Sequence, residues 1–399
     1  MITKIYNIKN ITTYDPILDK IVVENTDSII IENGRIIKIG LEDEDWIINH
    51  ELDAQQTIIT PGFIDSHTHL IFASNRSDDF SNRISGKSYI EIAESGGGIK
   101  SSIKSLRNIS KDQLLDKCLK DINNIVKTGT TTIEAKSGYG LTLEDEIKSL
   151  EVIRDLNEES TIDVVSTFMG AHDFPLEINN KNDYVNLICN EMIPKVAAMN
   201  LAEFCDIFCE KGYFDHEQTR KICNSAKEHN LKIKLHIDEF EDFNGAYLAG
   251  ELKAVSADHL MKSNSKGLMH MAKNGVVATI LPGTTLFLGL DTYANGRKMI
   301  EAGCDVALAS DYNPGSCTIY SIPIVMALSC LYCGLSIEEA FKGVTYNAAK
   351  AINRQDSIGV VKENYFADLL FWDINSIAEI PYWFNSDKLS MVMKKGKLI

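Results

Sequence analysis

Residues 61–70 of the chain read Pro61-Gly62-Phe63-Ile64-Asp65-Ser66-His67-Thr68-His69-Leu70, an apolar run that ends in two histidines one residue apart. Side chains at positions i and i+2 of a strand point to the same face of a sheet, so His67 and His69 are predicted to reach one ion together. Two imidazoles placed in this way supply half of a metal site. Because nine histidines in 399 residues also allow such a pair by chance, its meaning depends on further ligands downstream.

The segments that follow repeat one pattern. From about residue 57 to residue 340, short apolar runs rich in β-branched residues alternate with amphipathic stretches such as 143–156, 184–199 and 216–229. This alternation is typical of βα units that build a parallel sheet. Eight runs are predicted as strands: 58–69, 131–136, 164–171, 204–210, 233–238, 254–259, 276–281 and 306–311. Eight parallel strands with intervening helices predict an α/β fold, a TIM-like (β/α)8 barrel.

Both ends of the chain differ from this middle part. Residues 28–39 alternate as strands do around Asn33-Gly34, a strong hairpin signature, and the tail repeats strand-like patterns at 367–372 and 391–399. Two β-rich ends that flank a barrel most simply pair with each other. We therefore predict a small β-sandwich domain built from residues 1–56 and 351–399, and a catalytic barrel at 57–350.

Composition limits the classes of function. Hydrophobic residues make up 44% and charged residues 24% of the chain, which is ordinary for a soluble globular protein. No apolar stretch reaches the roughly 18 residues that span a bilayer, so a membrane role is not expected. The net charge of −16 argues against a nucleic-acid partner, which needs a concentrated positive surface. The expected partner is a small molecule, and an anionic one needs a local arginine because the overall field repels it.

The same composition predicts the compartment. The N-terminus lacks the basic-then-apolar layout of a secretory signal, and the nine cysteines form no disulfide framework. Both features favour a reducing compartment, so a cytoplasmic location is expected. The sequence leaves the oligomeric state open, and a homodimer is expected only because it is the commonest assembly.

Polar, ligand-type residues collect where the predicted strands end, which is the catalytic face of barrels of this type. These residues are His67, His69, His172, His236, His259 and Asp311. A structural role explains any one of these histidines, but not all five together.

This set, with a His-x-His pair on the first strand and an aspartate on the eighth, resembles the amidohydrolase superfamily of metal-dependent hydrolases over nearly the whole chain. Longer strings resemble one family within it, the imidazolonepropionases, which open an imidazolone ring in histidine breakdown. The strings are SGGGI at 95–99, KSGYGL at 136–141, STFMGAH at 166–172, AVSADHL at 254–260 and SDYNPGS at 310–316. Strings of this length are specific, whereas the His-x-His pair is shared by many relatives.

The resemblance implies one Zn²⁺ or Fe²⁺/Fe³⁺ per chain. The implied ligands are His67, His69, His236 and Asp311. Three neutral imidazoles and a carboxylate suit zinc or iron better than Mg²⁺ or Ca²⁺, and they do not separate zinc from iron. Such a metal activates a water at neutral pH, and Asp311 is the expected proton acceptor.

Two further choices stay open at this point. His259 and Glu239 are both candidates for catalytic acid-base work, and the sequence does not say which of them donates the proton. Superfamily members with two metals use a bridging lysine. Here the fourth strand ends in Glu210-Lys211, and a role for either residue at a second metal is a residual alternative.

The resemblance also implies the substrate contacts. Arg76 is predicted to form a two-pronged pair with a carboxylate, Tyr139 to add its hydroxyl, and His172 to contact the substrate ring. Further predicted contacts are Tyr89, Glu239, Asn313, Gly315 and Ser316. Tyr89 is equally consistent with a lid or core role. Glycines 96–98 are expected to let the loop over the site fold tightly or move.

The leading hypothesis is hydrolysis of 4-imidazolone-5-propanoate to N-formimidoyl-L-glutamate, a step of histidine degradation, through a metal-activated water. The alternative is another cyclic amidohydrolase or a deaminase of the superfamily. Arg76 and Tyr139 discriminate between them, because a neutral base needs no carboxylate clamp. A non-catalytic barrel that serves as a scaffold predicts lost ligands, yet the four implied ligands are in place.

Overall fold

The computed structural model of the protein describes residues 1–40, 46–87, 91, 96–384 and 387–399. Its strands are β1 Ile2–Tyr6, β2 Asn10–Asp15, β3 Lys20–Glu24, β4 Ser28–Glu32, β5 Arg35–Ile39, β6 His50–Asp53, β7 Ile58–Pro61, β8 Phe63–Asp65, β9 Thr130–Lys136, β10 Asp163–Ala171, β11 Phe204–Cys209, β12 Lys232–Ile237, β13 Ser256–His259, β14 Val277–Ile280, β15 Val306–Leu308, β16 Leu369–Trp372, β17 Leu389–Lys394 and β18 Lys397–Leu398.

Helices in the described part of the chain alternate with the barrel strands and cover them. They are Ser77–Ile84, Ile99–Asn108, Lys111–Val126, Leu143–Glu159, Lys181–Leu187, Ile193–Ala198, His216–Glu228, Gly245–Leu252, Ser265–Lys273, Pro282–Leu288, Gly296–Glu301, Ile322–Tyr332, Ile337–Val344, Tyr346–Ala351 and Glu379–Tyr382. The helix predicted at 216–229 begins after Asp215, whose side chain accepts the backbone N–H of Gln218 in a capping box. The helix predicted at 184–199 is interrupted by a π turn, Ile188–Met192.

The eight strands β8 to β15 form one parallel sheet in chain order. The sheet closes on itself just beyond its first and last strands, where the N–H of Asp311 donates to the carbonyl of His67 at 3.0 Å and the N–H of His69 donates to the carbonyl of Tyr312 at 2.9 Å. All residues of β9 are buried, as expected for a parallel strand covered on both faces. The predicted α/β barrel is confirmed.

The first predicted strand, 58–69, is wrong in one respect. The structure divides this run at Gly62, so that β7 pairs with β16 and β2 outside the barrel while β8 joins the barrel. A Cβ on Gly62 would lie 2.2 Å from Oγ1 of Thr131, so only glycine permits the close crossing between the two strands. His67 and His69 therefore follow the end of β8 rather than lying within a strand.

The two ends of the chain share a sheet, as predicted. The six-stranded sheet has the order β18-β17-β16-β7-β2-β3, and a four-stranded sheet has the order β5-β4-β1-β6. Ile5, Ile11 and Phe371 belong to the core between these strands. Asn33 and Gly34 both adopt positive φ, 50° and 79°, as a two-residue hairpin of this type requires. The segment limits at residues 56 and 350 stay a prediction.

Candidate active site

The five strand-end histidines surround the floor of one cavity of about 560 Å³ at the carboxyl ends of the barrel strands. Four of them line it directly, while His67 lies buried beneath them. The walls include an arginine, a tyrosine and a glutamate that the sequence predicted as substrate or acid-base groups. The predicted residues among the lining are His69, Arg76, Tyr139, His172, His236, Glu239, His259, Asp311, Asn313, Gly315 and Ser316. Tyr89 lies outside the described residues.

The predicted metal ligands lie close together. The ligand atoms of His67, His69 and Asp311 all lie within 4.8 Å of one another, and those of His67, His236 and His259 form a second such group. Oδ1 of Asp311 is 3.6 Å from Nε2 of both His67 and His69. Nε2 of His69 is 3.1 Å from Nε2 of His236. Because both groups contain His67, they describe one continuous cluster.

The outer nitrogens of two of these imidazoles are held by carboxylates. Nδ1 of His67 is 2.6 Å from Oδ2 of Asp258, and Nδ1 of His236 is 3.0 Å from Oδ1 of Asp206. Each carboxylate fixes the proton on Nδ1 and so turns the Nε2 lone pair toward the cluster. Among the described groups, Nε2 of His67 is buried without a hydrogen-bond partner. A cation bound between these atoms would satisfy it, so the donor set fits a metal ion.

The ionisation of the cluster also suits a cation. Burial lowers the pKa of His67, His69 and His236 well below the ordinary value, so these imidazoles are neutral at neutral pH and can act as ligands. Burial raises the pKa of the Asp311 carboxyl to about 7, although a hydrogen bond from the Thr284 hydroxyl opposes the shift. That hydroxyl lies 2.6 Å from Oδ2 of Asp311.

Glu239 and His259 face each other, with Nε2 of His259 at 3.7 Å from Oε2 of Glu239. Burial raises the pKa of Glu239 well above its ordinary value, and the carboxylates of Asp311 and Glu210 add to the shift. Burial lowers the pKa of His259 to about 4. Burial therefore favours the protonated form of the glutamate and the neutral form of the histidine.

The two residues considered for a second metal have other contacts. Oε2 of Glu210 accepts the backbone N–H groups of Glu239, at 2.8 Å, and Phe240, at 3.3 Å. Its carboxylate therefore holds the backbone that carries Glu239. Nζ of Lys211 pairs with Glu241 at 2.9 Å on the surface, where the lysine side chain is 66% exposed.

Arg76 and Gly315 meet on the wall of the cavity. A Cβ on Gly315 would lie 2.1 Å from Nη1 of Arg76, so the missing side chain leaves room for the guanidinium. Asn313 forms the loop that carries Gly315: its Oδ1 accepts the N–H of Gly315 at 2.8 Å and that of Ser316 at 2.7 Å. Its Nδ2 donates to the carbonyl of Asp311 at 2.7 Å. The Asn313 amide thus shapes the loop in addition to lining the cavity.

The rings of Tyr139 and His172 lie next to the ring of His69. The His172 ring stacks on the ring of His69, with centroids 4.8 Å apart, and its Nδ1 is 2.9 Å from the carbonyl of Gly138. The Tyr139 ring lies 5.2 Å from the His172 ring. Both side chains also line the cavity.

The sequence pattern did not predict the buried ion pairs that lie next to the candidate metal ligands. Nζ of Lys136 lies 2.9 Å from Oδ2 of Asp206 and 2.7 Å from Oε1 of Glu134, and all three side chains are fully buried. Oε2 of Glu134 accepts the N–H of Thr68, between the two histidines. The available signal was a charged residue inside an otherwise apolar strand, as in the Phe-Cys-Asp-Ile-Phe-Cys of β11.

Comparisons with known proteins agree with this arrangement. A sequence model of the amidohydrolase family matches residues 58–399. A protein of Porphyromonas gingivalis named imidazolonepropionase is 46% identical over 350 residues, which cover 88% of this chain and 82% of the relative. A protein of the same name from Fusobacterium nucleatum is 44% identical over 383 residues, covering 95% of this chain and 92% of that one.

Solved structures share the fold at much lower identity. A triazine hydrolase variant superposes with a TM-score of 0.78 at 16% identity, covering 100% of this chain and 94% of that one. An adenosine deaminase from Xanthomonas campestris with bound zinc gives a TM-score of 0.75 at 14% identity, covering 99% of this chain and 92% of that one. At this identity the likeness extends to the fold alone.

Proposed function

The chain belongs to the amidohydrolase family and, within it, to the imidazolonepropionases, and from this premise we propose how its cavity carries out the reaction. The protein is a hydrolase of histidine degradation that converts 4-imidazolone-5-propanoate to N-formimidoyl-L-glutamate. Water adds to the ring carbonyl carbon, the bond from that carbon to the ring nitrogen breaks, and the nitrogen takes up a proton. The observation that supports this best is the presence of Arg76 in the same cavity as the histidine cluster.

One Zn²⁺ or iron ion per chain would be held by His67, His69, His236 and Asp311. When bound, the ion activates the attacking water and polarises the carbonyl of the substrate. The neutral imidazoles and the single continuous cluster support one ion. The surface position of Lys211 and the backbone contacts of Glu210 give no support to a second one.

Asp311 and Glu239 divide the proton transfers in this proposal. The carboxyl of Asp311, with a pKa near 7 in the absence of a cation, accepts a proton from the water once the cation's charge keeps it ionised. Glu239, whose protonated form is favoured by burial, delivers its proton from Oε2 to the departing ring nitrogen. Neutral His259, 3.7 Å from that oxygen, orients the water and hydrogen-bonds the developing oxyanion.

The substrate carboxylate is bound at the wall formed by Arg76 and Gly315. The guanidinium of Arg76 faces the cavity over Gly315 and offers Nη1 and Nη2 for a two-pronged pair. Tyr139 adds its hydroxyl, and burial raises the pKa of that hydroxyl further, so it stays a donor. This local cation attracts an anion that the net charge of −16 would otherwise repel.

The test is turnover of 4-imidazolone-5-propanoate compared with hydantoin, cytosine and guanine by the metal-loaded protein. We expect measurable turnover of the first compound only. Preferred turnover of a neutral base or hydantoin would contradict the proposal and favour another cyclic amidohydrolase or a deaminase.

Replacement of Arg76 by alanine tests the clamp. We expect KM to rise by roughly 10- to 150-fold with a smaller change in kcat, because a charged hydrogen-bond pair contributes about 1.5 to 3 kcal/mol to binding. Arg154→Ala, which removes an exposed arginine paired with Asp155, is the matched control and should leave KM unchanged. An unchanged KM in Arg76→Ala would show that the carboxylate binds elsewhere.

A further inference from the structure

Asp79 lies beside Arg76 in the wall of the cavity and is only 8% exposed. It is in the first turn of the helix Ser77–Ile84, one turn beyond Arg76. Its neighbour Asp78 lies in the same turn but is exposed. An acid in the first turn of a helix is common because it complements the helix dipole, so its position alone has no functional meaning.

The contacts of Asp79 go beyond that common role. One oxygen, Oδ2, accepts a hydrogen bond from Nε of Arg76 at 2.7 Å and another from the backbone N–H of Gly98 at 2.9 Å. Gly98 precedes the helix Ile99–Asn108 and has a φ of 73°, in the left-handed region. Ile99, the next residue, lines the cavity.

Arg76 is thus held on two sides. Asp79 fixes Nε, and Gly315 leaves the space that Nη1 occupies. Among the described contacts, the guanidinium makes no other hydrogen bond, so both terminal nitrogens are available to a ligand. A guanidinium fixed at Nε loses less rotational freedom when a carboxylate binds, and preorganisation of this kind increases affinity.

We propose that Asp79 is a positioning residue for the substrate carboxylate: with one oxygen it fixes both Arg76 and the Gly98 backbone, so that the clamp and the wall at Ile99 keep one geometry over the cavity. This inference rests on the proposed function, because it assumes a carboxylate-bearing substrate. Asp79 touches neither the reacting atoms nor the histidine cluster, and its effect therefore falls on substrate binding.

The charge of Asp79 considered alone predicts the opposite change in KM when Asp79 is removed. A negative charge 2.7 Å from Nε weakens the attraction of Arg76 for an anionic substrate, so its removal alone would lower KM. If Asp79 positions Arg76, its removal instead raises KM, because Arg76 and Gly98 lose their shared acceptor. The sign of the change separates the two explanations.

The experiment compares wild type, Asp79→Ala, Asp79→Asn and the matched control Asp78→Ala on 4-imidazolone-5-propanoate and on its neutral methyl ester. For Asp79→Ala we expect KM for the acid to rise about tenfold or more, with kcat and the KM for the ester changed less than about threefold. Asp79→Asn keeps an acceptor oxygen and should restore KM to within about threefold of wild type. Asp78→Ala removes an equal charge from the same turn and should behave as wild type.

The outcomes are distinguishable. A lower or unchanged KM for the acid in Asp79→Ala overturns the positioning role, as does an equal rise for acid and ester. Failure of the wild type to turn over the acid overturns the proposed function instead.

If Asp79→Ala does not fold, hydrogen exchange of the wild-type protein tests the shared contact directly. Bound N-formimidoyl-L-glutamate should slow exchange at the backbone N–H of Gly98, because the ligand immobilises the arginine that shares its acceptor. An unchanged exchange rate at Gly98 would overturn the proposal that Asp79 links Arg76 to the Gly98 backbone.

Discussion

Asp311 faces the histidine cluster with one oxygen because the other is held by Thr284. The Thr284 hydroxyl donates to Oδ2 at 2.6 Å, and Oδ1 is left equidistant, at 3.6 Å, from Nε2 of His67 and His69. The hydroxyl lies near the start of the helix Pro282–Leu288, so the loop after the seventh barrel strand sets the orientation of the carboxylate on the eighth.

Replacement of Thr284 by valine keeps the shape of the side chain and removes this donor. We expect kcat to fall by about tenfold or more, since a hydrogen bond to a charged group contributes about 1.5 to 3 kcal/mol. Thr284→Ser retains the hydroxyl and is the control, with kcat expected near wild type. Equal kcat values in both variants, measured with equal metal content, would show that Thr284 does not orient Asp311.

In Gly315→Ala, the added methyl carbon would lie 2.1 Å from the present position of Nη1 of Arg76, which is too close for both atoms to stay in place. The guanidinium must move, and we expect KM for the propanoate substrate to rise about tenfold, equivalent to about 1.4 kcal/mol of binding free energy. Gly275→Ala is the control for backbone effects: it has positive φ but open space around it, so it should lower stability without changing KM. A normal KM in Gly315→Ala would mean that the arginine has another productive position.

Strand β10 of the barrel is tied to strand β17 of the terminal sheet by ion pairs at Asp163. Its carboxylate lies 2.9 Å from Nζ of Lys394 and 2.7 Å from Nζ of Lys395. Burial would raise the pKa of Asp163, but the two lysines together hold it below its ordinary value. The ion pairs therefore join the last strands of the chain to the catalytic barrel.

This lowered pKa predicts a pH dependence of stability. A carboxyl whose folded-state pKa is depressed contributes stability above its unfolded pKa of about 3.9, and this contribution is lost as the pH falls through the folded value. We expect Asp163→Asn to lower the free energy of unfolding by about 1.5 kcal/mol at pH 7 and to reduce the loss of stability below pH 4. Urea unfolding at pH 7 and pH 3 measures both effects.

Asp373→Asn is the matched control, because Asp373 pairs with Lys388 at 3.5 Å in a mostly exposed position. Exposed pairs contribute little, so its effect should stay below about 0.5 kcal/mol. An Asp163→Asn variant with the same acid sensitivity as wild type would contradict the assignment.

Individual elements show where sequence patterns stop being informative. The run 58–69 is apolar throughout, and its division at Gly62 depends on the partner of β7, which is β16 at the other end of the chain. The apolar pattern within the run gives no indication that β7 pairs with β16. The helix predicted at 184–199 spans 181–198 in the structure, and the apolar pattern did not predict its π turn, Ile188–Met192.

Around the cluster, the described part of the molecule buries more carboxyl groups than lysines. Glu134, Asp206, Asp258 and Asp311 lie near two buried lysines, Lys136 and Lys234. A divalent cation would offset the excess, so we expect the metal to stabilise the folded state as well as to serve the reaction.

Removal of the metal tests both roles. Metal analysis should give about one zinc or iron per chain. Exhaustive chelation should lower Tm by about 5 °C, and one equivalent of Zn²⁺ should restore it. His236→Ala should show the lowered Tm from the start and respond less to chelator. Two metal ions per chain, or a Tm insensitive to chelation, would contradict the proposed centre.

The catalytic face was predictable because strand ends in a parallel barrel converge whatever the details of the strands. His172, His236 and His259 reach one cavity for this reason alone. The buried charged groups that contact these histidines and one another were not predictable. Asp206 and Lys136 lie inside strands that are buried on both faces, so no alternation reveals which way they point, and their pairing joins separate strands.

The seam of the barrel has a consequence for biosynthesis. The first and last strands meet at the histidine pair, where Ser310 donates its N–H to Oδ1 of Asp65 across 245 residues of chain. Because the N-terminal end is synthesised first, these contacts of the histidine segment form only after residues 309–312 have been synthesised. We therefore expect the proposed metal to be bound late in the synthesis of each chain, because chains that end before Asp311 lack one of the four proposed ligands.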